Sequence, residues 1–340
     1  MPDRIVCPEQ NDDEARMEET LRPATLDDFI GQNQVKTMLR IAIEAALRRR
    51  DVLDHVLLSG PPGLGKTTLA HIIANELGVS LKLTSGPVLD KKAALAGCLT
   101  ELQRGQILFI DEVHRLNRLV EECLYPAMED FKIEVVIGGE GAYANTVNLP
   151  LEPFTLVGAT TRSGMLTGPL RDRFGVVCRL GYYNNDDIFA IVKRSARILS
   201  VTTDEEGAWE IARRSRRTPR VANRLLRRVR DYAEVRADGN INRDVAREGL
   251  QMLEVDEVGL ESLDRLILSA IIEKFDGGPV GLKSLAVAVG EDVETIEEVY
   301  EPFLIQEGFM HRTPQGRVVT ERGYAHMGHK PKERDERTLF

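Results

Sequence analysis

Short apolar runs alternate with longer amphipathic segments through the first half of the chain. Runs of strand length occupy residues 56–58, 81–83, 107–110 and 155–158, and segments with helical periodicity occupy 34–49, 68–77 and 119–131. Apolar runs of this length are typical of strands buried on both faces of a sheet. The alternation predicts an α/β domain at 21–180, with helices on both faces of a parallel sheet.

Helical periodicity replaces this alternation after residue 180. Apolar side chains recur on one helix face at Ile188, Ile191, Val192, Ala196 and Leu199, and no strand pattern interrupts residues 186–254. This spacing predicts a small helical domain at 181–254.

The segment at 255–328 has a different order of elements. Two short helices flank Gly290, and two β-prone arms at 310–312 and 317–320 enclose a turn with Pro314 and Gly316. Helices followed by a hairpin in this order are the outline of a winged helix. The acidic residues 1–20 are expected to form a flexible tail, and residues 329–340 a second tail.

A further pair of β-prone arms, at 133–149, interrupts the predicted sheet domain. The arms surround a glycine-rich tip and carry Ile133, Val135 and Ile137, which predicts an inserted hairpin. The hairpin is either a flap that folds back on its own domain or a docking surface for another protein. The residues themselves favour neither alternative.

Composition indicates an ordinary globular protein with a formal net charge of −9, 42% hydrophobic and 29% charged residues. The chain has no run of 18 apolar residues and begins with a polar, acidic stretch, so a cytoplasmic location is expected. The cysteines Cys7, Cys98, Cys123 and Cys178 form no Cys-x-x-Cys pair, so we expect free thiols. The net charge argues against extensive nucleic-acid coating but leaves local basic patches open.

A glycine-rich loop joins the run at 56–58 to the helix at 68–77. Residues 60–67 read GPPGLGKT and fill the phosphate-binding pattern G-x-x-x-x-G-K-[ST]. Glycines let successive backbone N–H groups face a phosphate, and the following helix directs its positive end at the same point. Lys66 would contact the β- and γ-phosphates, and Thr67 would offer its hydroxyl to Mg²⁺. The predicted nucleotide-binding residues of this segment are Gly63, Gly65, Lys66, Thr67 and Thr68.

Acidic residues end the apolar run at 107–110. Asp111 and Glu112 therefore follow a predicted central strand, at the edge where open α/β sheets bind ligands. Asp111 is the candidate Mg²⁺ partner, and Glu112 is the candidate base that orients or deprotonates the attacking water. Solvated strand-end acids are the alternative. His114 fits a surface or second-shell position at least as well as a catalytic one.

Arginines are concentrated at 213–230. We expect most of them to be solvated or paired with acids such as Asp231 and Glu234. Pro219 differs because it fixes the start of the next helix and sets Arg220 in its first turn. Arg220 is therefore a cation at a defined point.

Charge in the predicted winged helix is unevenly distributed. No Lys or Arg occurs from 284 to 310, while the second helix is acidic and the hairpin, or wing, carries Arg312 and Arg317 with Arg322 beyond it. An acidic helix repels phosphates, so we expect DNA contact through the wing residues Arg312 and Arg317. Packing or protein contact is the alternative use of this domain.

These motifs together resemble AAA+ ATPases and, among them, the RuvB family of Holliday-junction branch-migration motors. The likeness covers about residues 21–324 and includes LRPATLDDFIGQ, LFIDEVHRLN, PFTLVGATTRSG, PLRDRFG and TPRVANRLLRRVRD. It implies a P-loop domain, a helical lid and a winged helix, with ATP and Mg²⁺ as cofactors. It also implies a DNA helicase role in recombination, DNA repair and the SOS response.

The resemblance implies further site residues. Those that would border the adenine are Leu21, Arg22 and Tyr183. Thr160 would be the polar sensor near the γ-phosphate, with Thr161 as the alternative, and Arg220 would be the second sensor on the lid.

The resemblance also implies a site shared between subunits. Arg173 would reach ATP bound to a neighbouring subunit, with Arg171 as the less favoured alternative, and Glu129, Asp130 and Phe131 would line that interface. Removing such an arginine costs about 10³ to 10⁵ in rate. Hydrolysis would therefore need an oligomer, which in this family is a hexameric ring around duplex DNA.

The resemblance gives the hairpin and the wing their expected partners. The hairpin at 133–149 would bind RuvA, and RuvC would join at the four-way junction. The hairpin tip is one residue longer than usual, and Gln315 stands where the family commonly has arginine. Two rival interpretations remain from the residues: a clamp-loader-like ATP switch, and a non-motor DNA-binding regulator in which ATP controls assembly.

Overall fold

The computed structural model describes residues 20–137 and 145–330. Its chain divides into two compact units, and the division falls between Tyr183 and Asn184. Most of the two predicted tails and the tip of the predicted hairpin lie outside the described residues, as does Cys7.

The first unit is built around a five-stranded parallel sheet. The elements of this unit in chain order are α1 (Asn33–Arg49), β1 (Val56–Ser59), α2 (Lys66–Leu77), β2 (Leu81–Ser85), α3 (Lys92–Thr100), β3 (Ile107–Asp111), α4 (Arg118–Glu129), β4 (Lys132–Ile137), β5 (Asn145–Pro150), β6 (Thr155–Thr160), α5 (Gly168–Asp172) and β7 (Val176–Arg179). The strand order in the sheet is β2-β3-β6-β1-β7. The α/β prediction is confirmed.

The central strands are buried because both of their faces carry apolar side chains. Every residue of β1 and β6 is buried, and β3 is buried except for its last residue, Asp111. The edge strand β7 escaped sequence prediction, as did α3 and α5. In β7, Val176 and Cys178 are buried while Val177 and Arg179 are exposed, so it shows no continuous apolar run.

The predicted inserted hairpin is present as the antiparallel pair β4 and β5. Its register runs from Lys132 opposite Pro150 to Ile137 opposite Asn145. At the base of the hairpin, Ile133 is buried and Leu149 packs against the same core. The base is therefore fixed to the first unit by apolar contacts.

The second unit begins with four helices that form the small helical domain. They are α6 (Asn185–Ile198), α7 (Glu205–Arg213), α8 (Pro219–Arg236) and α9 (Arg243–Met252). Ile188, Val192 and Ala196 are buried on α6, in agreement with the predicted apolar face. Asn184, Asp204 and Asn242 cap the N-termini of α6, α7 and α9 with their side chains.

The same unit continues into a winged helix. Its elements are α10 (Ser262–Lys274), α11 (Leu282–Val289), α12 (Val293–Thr295), a π-helical turn (Ile296–Tyr300), α13 (Glu301–Gln306), β8 (Met310–Thr313), β9 (Gly316–Val319) and α14 (Glu321–His326). Gly290 ends α11 in the left-handed conformation, as the sequence predicts. A Cβ on Gly316, at the wing turn, would lie 2.3 Å from the carbonyl oxygen of Val280, so this close approach requires glycine.

Buried ion pairs connect the helical segment to the winged helix within the second unit. Arg216, in the turn before α8, pairs with Asp264 and Glu261 at the start of α10 and lies 5.0 Å from the ring centroid of Phe303. Arg214 is buried as well and pairs with Glu210 at 2.6 Å. Both arginines are paired with acids, as the sequence analysis expects for most of the cluster, but these pairs are buried and their charges are neutralised inside the unit.

Candidate active site

The phosphate-binding loop adopts the glycine-dependent shape that its sequence predicts. Gly60, Gly63 and Gly65 all have positive φ values, of 145°, 78° and 98°. A Cβ on Gly60 would lie 2.5 Å from the carbonyl oxygen of Leu180, and one on Gly65 would lie 3.1 Å from the ring of Phe29. The backbone oxygen of Leu180 therefore excludes a side chain at Gly60, and at Gly65 the positive φ and the close ring of Phe29 disfavour one.

The charged and hydroxyl groups of the motif lie at the start of α2. Lys66 is the first residue of the helix and is buried, and its ammonium donates to the carbonyl oxygens of Gly60 at 2.7 Å and Pro61 at 2.9 Å. Thr67 and Thr68 follow in the first turn and are partly exposed. The loop thus concentrates a cation, two hydroxyls and a helix N-terminus at one place.

Three neighbouring strands bring the other predicted groups to the same edge of the sheet. The strand β6 lies between β1 and β3, with Thr160 opposite Ser59. The N–H of Gly60 donates to the carbonyl oxygen of Thr160 at 3.1 Å, which ties the loop to the end of β6. Asp111 ends β3 at that edge. Because carboxyl ends of adjacent parallel strands share one edge, these groups form a single site.

Glu112 has an unusual backbone conformation. Its φ of 47° is in the left-handed region, which non-glycine residues rarely occupy and which costs about 1–3 kcal/mol. The Asp111 carboxylate accepts from the N–H of Glu112 at 2.9 Å, and Arg115 donates to the Glu112 carboxylate at 3.1 Å. A Cβ on Gly86 would lie 2.5 Å from the Glu112 carbonyl oxygen. The contacts with Asp111, Arg115 and Gly86 keep Glu112 in this strained conformation. Strained backbone conformations of this kind are concentrated at active sites.

The two candidate sensor threonines have different environments. The Thr160 hydroxyl is buried, lies 3.0 Å from Nδ1 of His114, and accepts from the N–H of Arg162 at 3.0 Å. The Thr161 hydroxyl is also buried but has no hydrogen-bond partner among the described residues. Buried hydroxyls without a partner are rare and call for an explanation such as a ligand contact. The geometry favours Thr161, the alternative, as the sensor, with Thr160 and His114 forming a supporting pair.

The predicted adenine-binding residues lie near the loop or its helix. Leu21 is buried, and a guanidinium nitrogen of Arg22 lies 3.1 Å from Nε2 of His71 on α2. The hydroxyl of Tyr183 donates to the carbonyl oxygen of Leu64 at 3.1 Å. Gln32, which the sequence did not single out, donates to the carbonyl oxygen of Gly181 at 2.6 Å. Its left-handed φ of 50° has no signal in the sequence.

The predicted intersubunit residues lie together on the first unit. Arg173 follows α5, and its guanidinium lies 3.0 Å from Glu129 and donates to the carbonyl oxygen of Pro169 at 2.6 Å. Asp130 caps the end of α4 and is exposed, and Phe131 packs edge-on against Phe154. Arg171 instead donates to the carbonyl oxygens of Ser163 and Leu166.

Arg220 occupies the predicted position on the second unit. Pro219 and Arg220 are the first two residues of α8, and Arg220 is exposed. Among the residues that the structure describes, no acidic group or carbonyl oxygen pairs with its guanidinium. A fixed helix start with a free cation suits a role as the second sensor.

The two predicted DNA-contacting arginines on the wing differ in exposure. Arg312 is exposed on β8 and lies 3.3 Å from Glu297. Arg317 is only 7% exposed, and two of its nitrogens donate to one oxygen of Glu301, which is 2% exposed. Because Arg317 is buried against a buried carboxylate, the geometry favours Arg312 for a contact with DNA. Glu301, which the sequence placed on a repelling acidic helix, is this internal counter-ion.

Comparison with known protein families covers almost all the described chain. A model of the Holliday junction DNA helicase RuvB P-loop domain matches residues 21–180. Models of the RuvB AAA lid domain and the RuvB C-terminal winged helix domain match residues 183–256 and 257–328. The chain belongs to the RuvB family. It is therefore an AAA+ ATPase of the helicase-type motor class, and the predicted domain order is confirmed.

Solved RuvB structures are similar over nearly their whole length. The Thermotoga maritima RuvB Holliday junction branch migration motor is 51% identical, with a TM-score of 0.83 over 92% of this chain and 99% of that chain. A lysine-to-arginine mutant of the same protein is 51% identical, with a TM-score of 0.84 over 91% of this chain and 98% of that chain. No helix among the described residues is long and apolar enough to span a membrane.

The site in this RuvB-family chain fits Mg²⁺ with a nucleotide. Thr67 and Asp111 supply oxygen donors, the ligands that Mg²⁺ prefers. No cluster of three or more metal-ligating side chains occurs within residues 20–137 and 145–330. Mg²⁺ commonly takes one or two protein oxygens and completes its shell with water and phosphate.

Proposed function

We propose that this protein is an ATP-driven DNA translocase that promotes branch migration of Holliday junctions. The observation that carries the proposal is the convergence of Lys66, Asp111 and Glu112 at one sheet edge, in a chain that continues into a lid and a winged helix. Its relative from Thermotoga maritima is a Holliday junction branch migration motor, which supports the proposal.

The chemical step follows from the positions of the side chains. Backbone N–H groups of the glycine loop and the ammonium of Lys66 bind the phosphates. Thr67 and Asp111 would hold Mg²⁺, which neutralises charge on the β- and γ-phosphates when it is bound. Glu112 orients the attacking water and accepts its proton. Thr161, which has a buried and unpartnered hydroxyl, supports the γ-phosphate, and Thr160 orients His114 behind it.

A neighbouring subunit completes the site. In the proposed homohexamer, Arg173 extends from one subunit to ATP on the next, and Glu129, Asp130 and Phe131 line that interface. Glu129 already pairs with Arg173 inside one subunit at 3.0 Å. We infer that the guanidinium exchanges this carboxylate for a phosphate when subunits meet, because both anions can accept two parallel hydrogen bonds from one guanidinium.

The link from nucleotide to DNA passes through the second unit. Arg220 contacts the phosphates of its own subunit, and the turn that precedes it carries Arg216, whose buried pair with Asp264 reaches the winged helix. Motion of the lid is therefore transmitted to Arg312 on the wing, which contacts the DNA backbone. Leu21, Arg22 and Tyr183 border the adenine in this proposal.

The partners and setting of the motor are parts of the same proposal. The hairpin at 133–149 binds RuvA, and RuvC joins the complex at the four-way junction, in cytoplasmic recombination and DNA repair. Domain boundaries near 180 and 255 would delimit the ATPase domain, the lid and the winged helix of the motor.

Replacing Lys66 with alanine or Glu112 with glutamine tests the function. ATP-driven migration of a synthetic four-way junction, with RuvA present, should fall at least a hundredfold, while the unfolding midpoint stays near that of the unsubstituted protein. Migration retained in both variants would refute the proposal. Turnover by the unsubstituted protein without strand movement would favour the regulator, and a requirement for a sliding clamp would favour the clamp-loader-like switch.

A further inference from the structure

The guanidinium of Arg173 rests on an aromatic ring of its own subunit. Its central carbon lies 4.3 Å from the centroid of the Tyr125 ring, on helix α4. Glu129 and the carbonyl oxygen of Pro169 contact the edge of the same guanidinium, at 3.0 and 2.6 Å. A ring face attracts a cation by about 0.5–2 kcal/mol and leaves the outer N–H groups available. The contact therefore fixes the plane of Arg173 without consuming all its donors.

A buried carboxylate holds that ring in place. The Tyr125 hydroxyl donates to Glu121 at 2.6 Å, and Glu121 is 7% exposed. Burial and this hydrogen bond both raise the pKa of Tyr125, so the phenol keeps the proton that it donates. A buried carboxylate such as that of Glu121 destabilises the fold unless it accepts hydrogen bonds. The groups that donate to it are therefore held in fixed positions.

The same carboxylate oxygen also anchors the segment that leads to Arg173. Thr167 donates its hydroxyl to Glu121 and accepts from the N–H of Leu170, which caps the start of α5. Arg173 lies at the end of that short helix. Glu121 thus controls Arg173 in two ways, through the ring beneath its guanidinium and through the helix that carries its backbone.

We propose that Tyr125 and Glu121 are positioning residues that pre-orient Arg173 for ATP bound to the neighbouring subunit. Pre-orientation removes the entropy cost of ordering a long side chain when the transition state forms, so it acts on kcat more than on KM. This inference rests on the proposed function, in which Arg173 acts across the interface. It adds two residues of the same subunit that act through Arg173.

Three substitutions and one control substitution separate the contributions. Tyr125→Leu removes the ring and should lower the kcat for ATP about tenfold with KM unchanged. Tyr125→Phe keeps the ring and should stay within about threefold of the unsubstituted protein. Glu121→Gln should lower kcat, while the adjacent Glu122→Gln, whose exposed carboxylate pairs with Arg118, is the matched control and should not. An unchanged kcat in Tyr125→Leu would overturn the inference.

A mixing experiment distinguishes positioning from damage to the subunit's own site. Subunits with Glu112→Gln cannot hydrolyse ATP but carry an intact Arg173. Mixed 1:1 with Tyr125→Leu subunits, they should restore unsubstituted turnover at about a quarter of the interfaces in a ring. Subunits with Arg173→Ala serve as the reference in a parallel mixture.

The outcomes of the mixing experiment are distinct. Rescue of both Arg173→Ala and Tyr125→Leu supports the inference. Rescue of Arg173→Ala alone shows that Tyr125 acts within its own subunit and overturns the inference while leaving the proposed function intact. Absence of rescue for Arg173→Ala overturns the intersubunit role of Arg173 itself, and this inference with it.

Discussion

The buried pair of Arg216 and Asp264 gives the sharpest test of how the second unit is held together. Asp264 is 0% exposed, and its carboxylate accepts from Arg216 and from the N–H of Glu261 at 2.7 Å. Replacing Arg216 with methionine keeps apolar packing on Phe303 and removes the positive charge. The variant leaves Asp264 buried without its counter-ion, which costs about 3–5 kcal/mol.

The cost should depend on pH in a defined direction. Burial raises the pKa of Asp264 from 3.8 to about 6, although the charge of Arg216 lowers it. A folded-state pKa above the unfolded value means that stability falls as pH rises through that range. Without Arg216 the pKa rises further, so the loss extends to higher pH. The deficit of Arg216→Met should therefore be largest near pH 8 and shrink near pH 5.5, where Asp264 binds a proton.

Urea unfolding monitored at Trp209 measures this deficit. Trp209 is the only tryptophan in the sequence and stacks on Phe189 within the second unit, so its fluorescence reports that unit. The midpoint should fall by about 2 M at pH 8, given a slope of about 2 kcal/mol per M. Arg224→Met removes an exposed cation from Glu261 and should cost less than about 1 kcal/mol. An equal deficit at both pH values would refute the electrostatic reasoning.

Three further outcomes are expected. Burial lowers the pKa of His55, so the folded first unit binds fewer protons than its unfolded chain and its melting temperature should decline as pH falls below about 6.5; a flat melting temperature of the first unit down to pH 5 would contradict this. Arg312→Ala should weaken duplex binding and reduce the salt slope by about one, whereas Arg317→Ala should chiefly lower the unfolding midpoint, as binding and melting titrations will show. Thr161→Val should lower ATPase kcat at least tenfold, and Thr160→Val less; the reverse order in steady-state assays would restore Thr160 as the sensor.

Periodicity and motif spacing were enough to predict the fold class and the position of the phosphate loop. The buried strands β1, β3 and β6 are apolar on both faces, and glycine, lysine and threonine at fixed spacing have few other uses. The edge strand β7 was missed because only alternate residues are buried. Sequence signals are thus strongest where burial is complete.

The partners of charged side chains could not be predicted from the sequence. Arg317 and Arg312 are five residues apart in one hairpin, yet one is buried against Glu301 and the other is exposed. Arg216 and Arg220 are likewise only four residues apart, Arg216 in a turn and Arg220 at the start of the helix that follows. Arg216 is buried, whereas Arg220 is exposed. The sequence does not distinguish one arginine of the cluster from another. The role of each arginine depends on which carboxylate lies within about 4 Å of its guanidinium in the folded protein.

The charges on and next to the wing suggest how a protein of net negative charge can both bind DNA and release it. Arg312 lies 3.3 Å from Glu297, and Arg322 lies 3.6 Å from Glu307, so each exposed cation is partly neutralised by its own subunit. A phosphate must displace or share these acids, which keeps the affinity of a single wing low. In the proposed homohexamer, several weak contacts would still give strong total binding, because linked sites raise the effective concentration of DNA at each wing. Weak individual contacts with strong collective binding would suit the proposed translocase, whose subunits must release the duplex in turn.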